Sequence, residues 1–215
     1  MNTPDFFSIA ASLIALIIAA VGHEIMHGWV AYRYGDMTAK RLGRLSINPI
    51  RHIDPVGTLL VPAVLYATGA PFLFGWAKPV PVDMRTVIHN GGIKAAVSVD
   101  LAGVTYNFVL AALSAALLPA FSSIDTIIEA FLALVVMQSF LINLIFGVFN
   151  LWPIPPLDGS QALRHLATGM GWRGMVEMYD RIYPYGMLIL MAVLFTPLSK
   201  ILFAPVGWIA KLLLP

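Results

Sequence analysis

The sequence predicts an all-α polytopic membrane protein, because of its composition, its long apolar runs and the placement of its basic residues. Of its 215 residues, 59% are apolar and 11% are charged, and the mean hydropathy is +0.83. A soluble domain carries roughly a quarter charged residues, so a soluble globule and a disordered chain are both excluded. The net charge of +2 gives no reason to expect a nucleic-acid partner. Without cysteine, any metal must be held by His, Asp or Glu.

The first element is a transmembrane helix over residues 5–32. This run is apolar and has no Lys or Arg before Arg33, so it lacks the basic start of a secretory signal peptide. Basic residues then follow closely at Arg33, Lys40, Arg41, Arg44 and Arg51. The positive-inside rule places this loop in the cytoplasm and the N-terminus outside.

The segment after the first helix predicts short extended pieces over 37–50 and 72–83, with an interrupted apolar stretch at 56–76 between them. That stretch is either a short span or a re-entrant hairpin. Because Lys78, Arg85 and Lys94 keep the following segment on the basic side, an even number of crossings is required, and we favour the hairpin. Irregular backbone at membrane depth requires protein or a water-filled cavity around it.

Two further core spans are predicted over 93–119 and 126–151, joined by a short turn at 120–125. Three prolines at positions 153, 155 and 156 end the third span. The apolar stretches at 184–198 and 201–214 are either two short spans or one span and an interfacial helix. We therefore predict three core helices within about five or six spans, in one domain over 1–215. Its core covers about 5–165 and its accessory C-terminal spans about 184–214.

The first span carries the sequence His23-Glu24-Ile25-Met26-His27. Residues four apart lie on one helix face, so both imidazoles can reach one zinc ion, and the Glu between them can take a proton from water. A catalytic zinc has three protein ligands and one open position, and it lowers the pKa of bound water to about 7. An unpaired ionisable group near the bilayer centre costs about 2.5–3.5 kcal/mol on translocon scales. We therefore favour a zinc site over polar residues that merely snorkel to the interface.

The third ligand should be an acid at the same depth, and Asp100, Glu129 and Asp158 are the candidates. Asp158 follows the proline-broken end of the third span, where freed backbone can direct a carboxylate into a cavity. Alternatively, Asp158 caps a helix that begins at Gly159. The spacing alone leaves both interpretations open.

These motifs together resemble those of the site-2 protease family of intramembrane zinc metalloproteases. That family has H-E-x-x-H in its first core helix and N-x-x-P-x-x-P-L-D-G in its third. The matching positions of the second motif are Asn150, Pro153, Pro156, Leu157, Asp158 and Gly159. Residues 48–57 and 74–81 are also similar to family segments, so that the resemblance covers roughly 10–165. The short turn at 120–125 and the end at Pro215 predict a compact form without a PDZ or CBS domain.

The resemblance implies that His23, His27 and Asp158 bind one zinc ion per chain, with Glu24 as the general base. It implies an endopeptidase that cleaves transmembrane segments of membrane proteins, with its active site in the membrane but nearer the cytoplasm. The segment after the first helix would form a small membrane-associated β-structure that pairs with an unwound substrate strand, and Asn150 would bind the substrate backbone. The expected protein is a multi-pass protein of a prokaryotic inner membrane. Its expected partners are a transmembrane protein substrate and the lipid bilayer, and a homo-oligomer is left open.

The second core span departs from the family pattern A-G-P-x-x-N, because Val104 occupies the proline position. Gly103 and Asn107 are in place. Asn107 is interpreted as a catalytic residue that donates a hydrogen bond to the oxyanion. Alternatively, Gly103 and Asn107 form a small and polar face that associates helices in lipid.

Other polar residues receive less specific interpretations. Asp100 has no place in the family pattern and is expected to face the site or a neighbouring helix. His52 and Asp54 either orient a zinc ligand or organise a turn, and we favour the turn. His89 and His165 lie in basic stretches and are expected to be solvated.

A membrane metal transporter or metal-binding protein is the competing function. Intramembrane His and Asp also mark ion pathways. Transporters usually have two related halves with broken helices, and no such repeat is present in this sequence. Transport needs ligands but no base, so the role of Glu24 distinguishes the two functions.

Overall fold

The computed structural model describes residues 6–69 and 75–214, and this part of the chain is helical without any β-strand. The helices are α1 (Phe6–Arg33), α2 (Thr38–Arg41), α3 (Val61–Ala67), α4 (Met84–Asp100), α5 (Ala102–Leu117), α6 (Ile127–Leu151), α7 (Asp158–Gly169), α8 (Arg173–Ile182), α9 (Gly186–Leu194) and α10 (Leu198–Leu213). Tighter or wider helical turns cover Pro49–His52, Pro55–Leu60, Leu118–Phe121 and Tyr183–Tyr185.

Three of the described helices are long and apolar enough to cross a membrane: α1, α6, and α5 together with the turn that follows it to Phe121. The segments Arg173–Leu194 and Leu198–Leu213 are bent by 78° and make at most a fourth span. The predicted first and third spans agree with α1 and α6. The predicted span over 93–119 is divided at Leu101, where α4 ends and α5 begins. The predicted total of five to six spans is not confirmed.

The core of the bundle is formed by α1, α5 and α6, which pack against one another. The buried face of α1 carries Ala11, Ala15 and Ala19 at four-residue spacing. Small residues at this spacing let neighbouring helices approach closely, which is how helices associate in lipid. Between α5 and α6 the buried apolar residues are Ala111, Ala115, Phe140, Leu144 and Val148.

The segment after α1 folds into helical turns where a β-structure was predicted, so this prediction is wrong for the described residues. The Asn48 side chain accepts a hydrogen bond from the Ile50 N–H at 3.0 Å and caps the turn Pro49–His52. The Asp54 side chain accepts from Val56 and Gly57 and caps the next turn. Capped turns that begin at proline favour a helical path.

The chain then returns along a segment without regular secondary structure over 75–83, whose start meets the helical turns. The Trp76 N–H donates to the Gly57 carbonyl at 3.1 Å, and the Lys78 N–H donates to the His52 carbonyl at 2.8 Å. Pro79 and Pro81 have no N–H, and the Val80 N–H between them donates to the Glu24 carboxylate, so the backbone pairing with the turns ends at Lys78. The two ends of the predicted hairpin therefore meet. Residues 70–74, which include part of the predicted extended piece 72–83, lie outside the described residues.

Helix α4 packs against both α1 and α7 and completes the surroundings of the site. Its buried contact with α1 is formed by Ala31, Val87, Ala95 and Val99. Because α4 ends at Asp100, its last carbonyl groups lie beside the histidine end of α1. This end of α4 supplies a contact to one of the predicted zinc ligands.

Candidate active site

The structure brings together the two histidines of α1 and the first residue of α7. The Nε2 atoms of His23 and His27 are 3.1 Å apart. The Asp158 Oδ2 atom lies 3.1 Å from His23 Nε2 and 3.4 Å from His27 Nε2. The helix-cap alternative for Asp158 is not realised, because Leu157 occupies the N-cap position and no side chain caps the helix. Among the described residues, these three form a cluster with potential metal-ligand atoms in close contact.

The Nδ1 atom of each imidazole lies at hydrogen-bond distance from an oxygen that can only accept a hydrogen bond. His27 Nδ1 lies 2.7 Å from the Val99 carbonyl oxygen, and His23 Nδ1 lies 2.6 Å from the Asn107 Oδ1 atom. Each Nδ1 must therefore carry the hydrogen and donate it. In the neutral imidazole the other nitrogen, Nε2, is then an unprotonated acceptor. Both Nε2 lone pairs face the Asp158 carboxylate.

A buried chain of hydrogen bonds fixes the orientation of the Asn107 amide. Asn143 Nδ2 donates to the Ser139 carbonyl at 2.8 Å, which directs Asn143 Oδ1 toward Asn107. Asn107 Nδ2 donates to that oxygen at 2.8 Å and to the Ala19 carbonyl at 3.3 Å. Asn107 Oδ1 is thereby left for His23. Both asparagines have 0% exposure, so these bonds are not exchanged for water.

The oxyanion role of Asn107 stays a prediction, and the structure gives this residue a different contact. The amide N–H groups that an oxyanion would need donate to Asn143 and to Ala19. Its carbonyl oxygen orients His23. Partners of this kind fix the tautomer and ring orientation of metal-ligating histidines.

The donor set fits a zinc ion. Asp158 Oδ2 is buried and accepts no hydrogen bond. The two Nε2 atoms beside it, at 3.1 and 3.4 Å, present lone pairs and not N–H groups. Three electron pairs in contact with no proton between them repel one another unless a cation joins them. Tetrahedral zinc bonds of about 2.0–2.1 Å separate ligand atoms by about 3.3 Å, close to the separations in this cluster. Three protein ligands also leave the fourth position open, as in catalytic zinc sites.

Two glycines allow neighbouring helices to approach the cluster. A Cβ atom on Gly103 would lie 2.5 Å from His27 Nε2 and 2.6 Å from His23 Nδ1. A Cβ atom on Gly159 would overlap the carbonyl group of Leu151. Gly159 therefore lets α7 begin directly beneath the end of α6. The glycine in each sequence motif thus has a steric reason.

Glu24 is bound by the irregular segment 75–83 that follows α3. Its Oε2 atom accepts a hydrogen bond from the Val80 N–H at 2.7 Å. Val80 lies between Pro79 and Pro81, so it supplies the one backbone donor in these three residues. The interpretation of the sequence missed Val80, although a single N–H between two prolines could have indicated it.

The remaining candidate acids and histidines have other partners. Asp100 Oδ2 and His165 Nδ1 form a buried pair at 2.6 Å, so the prediction that His165 is solvated is wrong. Helix α7 places His165 on its buried face, whereas His89 is exposed. Glu129 caps the start of α6 through Thr126 and Asp125.

The turn interpretation of His52 and Asp54 agrees with the structure. Asp54 caps the helical turn from Pro55, and His52 Nε2 lies 2.8 Å from the Ser46 carbonyl oxygen. Asn150 donates to the Phe146 carbonyl of its own helix at 3.1 Å. Its role in binding substrate stays a prediction.

Comparisons with known proteins agree with one another. A family model described as peptidase family M50 matches residues 122–194. A relative from Bacillus subtilis, YwhC, is 34% identical over 197 residues, which is 90% of this chain and 84% of the relative. Rip2 of Mycolicibacterium smegmatis is 32% identical over 86% of this chain and 67% of the relative, and MJ0611 of Methanocaldococcus jannaschii is 30% identical over 74% and 73%. All three are named "putative zinc metalloprotease". No solved structure shows a significant match to the chain.

Proposed function

The chain belongs to peptidase family M50, the site-2 protease family of zinc metalloproteases, and we propose that it cleaves transmembrane segments of other membrane proteins within the bilayer. The observation that carries this proposal is the contact of His23, His27 and Asp158 near the end of an apolar helix of 28 residues. Glu24 lies beside these ligands in the sequence. The proposed activity needs one zinc ion per chain and a transmembrane protein substrate.

The residues of the site divide into ligands and a base. His23 Nε2, His27 Nε2 and Asp158 Oδ2 would hold zinc, which when bound lowers the pKa of a coordinated water and polarises a carbonyl group. Glu24 takes the proton from the attacking water and passes it to the leaving amine, as a general base and then a general acid. The Val80 N–H holds one carboxylate oxygen of Glu24 at 2.7 Å, so the other oxygen is assigned to proton transfer.

The substrate must be unwound where it is cut, because a helical amide is occupied by hydrogen bonds of its own helix. Asn150, at the end of α6 and eight residues before Asp158, is proposed to bind the exposed backbone of that substrate segment. The residue is only partly buried. Asn107 is proposed to act on the site through His23.

We propose a multi-pass location in the inner membrane of a prokaryotic cell, with the lipid bilayer around the apolar helices and the active site toward the cytoplasm. His27 lies six residues before Arg33, the last residue of α1. At 1.5 Å per residue this puts His27 about 9 Å from the basic end of the helix, and His23, ten residues before Arg33, about 15 Å from it. The basic loop after α1 favours the cytoplasmic side.

The experiment compares the wild-type protein with Glu24→Gln after purification in detergent. Glutamine keeps the size of the side chain and can still accept from Val80, but it cannot take a proton. Glu177→Gln is the matched control, because Glu177 is exposed on α8. Zinc per chain and cleavage of a panel of transmembrane substrates are measured for all three proteins.

We expect about one zinc per chain in all three proteins and cleavage lost by about 100-fold or more in Glu24→Gln alone. Equal cleavage by wild type and Glu24→Gln would overturn the assignment of the base. Absence of zinc from the wild type after zinc is supplied would overturn the site. Zinc in every protein with metal flux into vesicles, and no cleavage by any of them, would favour the transporter.

A further inference from the structure

The buried pair Asp100–His165 lies outside the proposed metal ligands and is not part of the catalytic steps. Asp100 is the last residue of α4, and His165 lies on α7. The two side chains are 2.6 Å apart between Oδ2 and Nδ1, and each residue is 7% exposed. Burying a charged or polar side chain in so apolar a protein is costly unless it has a hydrogen-bond partner, and Asp100 and His165 are partners of one another.

On the α4 side, the pair is attached to the contact that orients His27. Val99, directly before Asp100, accepts the hydrogen bond from His27 Nδ1 at 2.7 Å. The position of this carbonyl fixes both the tautomer and the direction of the imidazole ring. Any shift of the end of α4 therefore moves the acceptor of His27.

On the α7 side, the pair is attached to the acid ligand. His165 follows Asp158 by seven residues, which is two turns of α7 and the same helix face. The rise over this distance is about 10 Å along one rigid helix. Fixing His165 therefore fixes the direction along which α7 presents the Asp158 carboxylate.

We propose that Asp100 and His165 are positioning residues for the zinc centre. Their hydrogen bond joins the helix that orients His27 to the helix that supplies Asp158. It thereby sets the separation between Asp158 Oδ2 and the two Nε2 atoms. Neither residue contacts substrate or metal in this assignment, and the inference rests on the proposed function.

The test compares wild type with Asp100→Ala, His165→Ala and the double variant, all as the full chain in detergent. His165→Asn is the conservative variant, because its side-chain N–H₂ can still donate to Asp100. His89→Ala is the matched control, since His89 is an exposed histidine on α4. The zinc dissociation constant is measured by competition with a chelator. The visible absorption of the protein loaded with Co²⁺ reports the geometry of the ligands, and thermal unfolding is followed on the metal-free protein.

We expect the alanine variants to bind zinc more weakly, by up to the loss of about 10- to 100-fold that follows removal of a direct partner of a metal ligand, and to alter the Co²⁺ spectrum. The double variant should bind zinc no more weakly than the single alanine variant of lower affinity, because either change breaks the same hydrogen bond. His165→Asn should recover most of the affinity, and His89→Ala should match the wild type.

Wild-type zinc affinity and an unchanged Co²⁺ spectrum in both alanine variants would overturn this inference. The same holds if the metal-free variants unfold at lower temperature but keep the affinity and the spectrum, because the pair would then support the fold alone. A wild-type protein that binds neither zinc nor Co²⁺ would instead overturn the proposed function. Failure of this inference is therefore seen in the variants, and failure of the proposed function is seen in the wild type.

Discussion

Replacing Gly103 by alanine is expected to weaken zinc binding while leaving the helices of the protein folded. A Cβ atom at this position would lie 2.5 Å from His27 Nε2 and 2.6 Å from His23 Nδ1, whereas ordinary contact begins at 3.4 Å. One of the groups must therefore move by about 0.9 Å, while metal–ligand distances are held within about 0.2 Å. Neither ring can turn aside freely, because each Nδ1 atom is bound to an acceptor.

The cost of this overlap follows from the behaviour of packed interiors. Extra methyl groups in a well-packed core cost about 1–3 kcal/mol, and if that cost falls on the ligands, zinc affinity drops by about 5- to 150-fold. Alanine favours a helix over glycine by up to about 1 kcal/mol, so α5 itself should not be weakened. The control is Gly207→Ala on α10, where a Cβ atom meets nothing within 4 Å.

The assay measures zinc per chain after dialysis against chelators of graded strength, together with cleavage and the circular dichroism of the helices. We expect Gly103→Ala to lose zinc to weaker chelators than the wild type does and to cleave more slowly, with an unchanged helical signal. Gly207→Ala should match the wild type in zinc binding and in cleavage. Retention of zinc by Gly103→Ala with wild-type affinity would refute the reasoning. In that case the histidine rings would not be held as their contacts indicate.

Two further variants test the contacts around the proposed ligand and base. Asn143→Ala removes the acceptor that orients the Asn107 amide, and we expect the zinc affinity to fall by about 10-fold. The affinity is measured by competition with a chelator, with Leu141→Ala as the control. Equal affinities in the two variants would show that Asn107 keeps its orientation unaided. Val80→Pro removes the N–H that donates to Glu24. Because a hydrogen bond to a charged group is lost, we expect cleavage to be about 10- to 150-fold slower while zinc is retained. Val80→Ala keeps that N–H and should cleave much faster than Val80→Pro; similar rates in the two variants would show that the side chain, not the N–H, matters.

The elements that follow from long apolar runs were predictable from the sequence. Helices α1 and α6 agree with the predicted spans because predominantly apolar segments of 25 to 28 residues have few other folds available. The positions of the proposed ligands on α1 were predictable for a similar reason, since residues four apart share one face of any helix. Asp158 as the third ligand came from the resemblance, because its spacing alone allowed a helix cap.

The region between α1 and α5 could not be predicted in the same way, because local capping decided its path. Asn48 and Asp54 accept backbone hydrogen bonds and start helical turns, whereas the composition with many Pro and Gly residues was interpreted as extended. The division of the second span at Leu101 has no apolar signal either. Asp100 at that break was the clue, because a buried acid needs a partner on another helix.

His165 shows how a local interpretation can fail. It lies next to Arg164 and near Arg173, and so it was expected in water. However, Arg164 points outward to Asp180 at 2.7 Å, while His165 is turned by one helix position to the buried face. The spacing of seven from Asp158 would have indicated this, because both residues then share one face of α7.

The spacing within α1 decides which atoms can reach a metal, but it does not make them ligands. An imidazole binds zinc through an unprotonated nitrogen, and here the proton on His27 is directed to Nδ1 by a carbonyl 72 residues away. The proton on His23 is directed by an amide 84 residues away, which Asn143 holds in turn. The proposed role of the two histidines as ligands therefore depends on the packing of α4, α5 and α6 against α1. Because these contacts are made by helices that pack around an apolar core, the two imidazole rings are oriented by the fold of the chain, unlike the ligands of a zinc finger, which folds only around its ion.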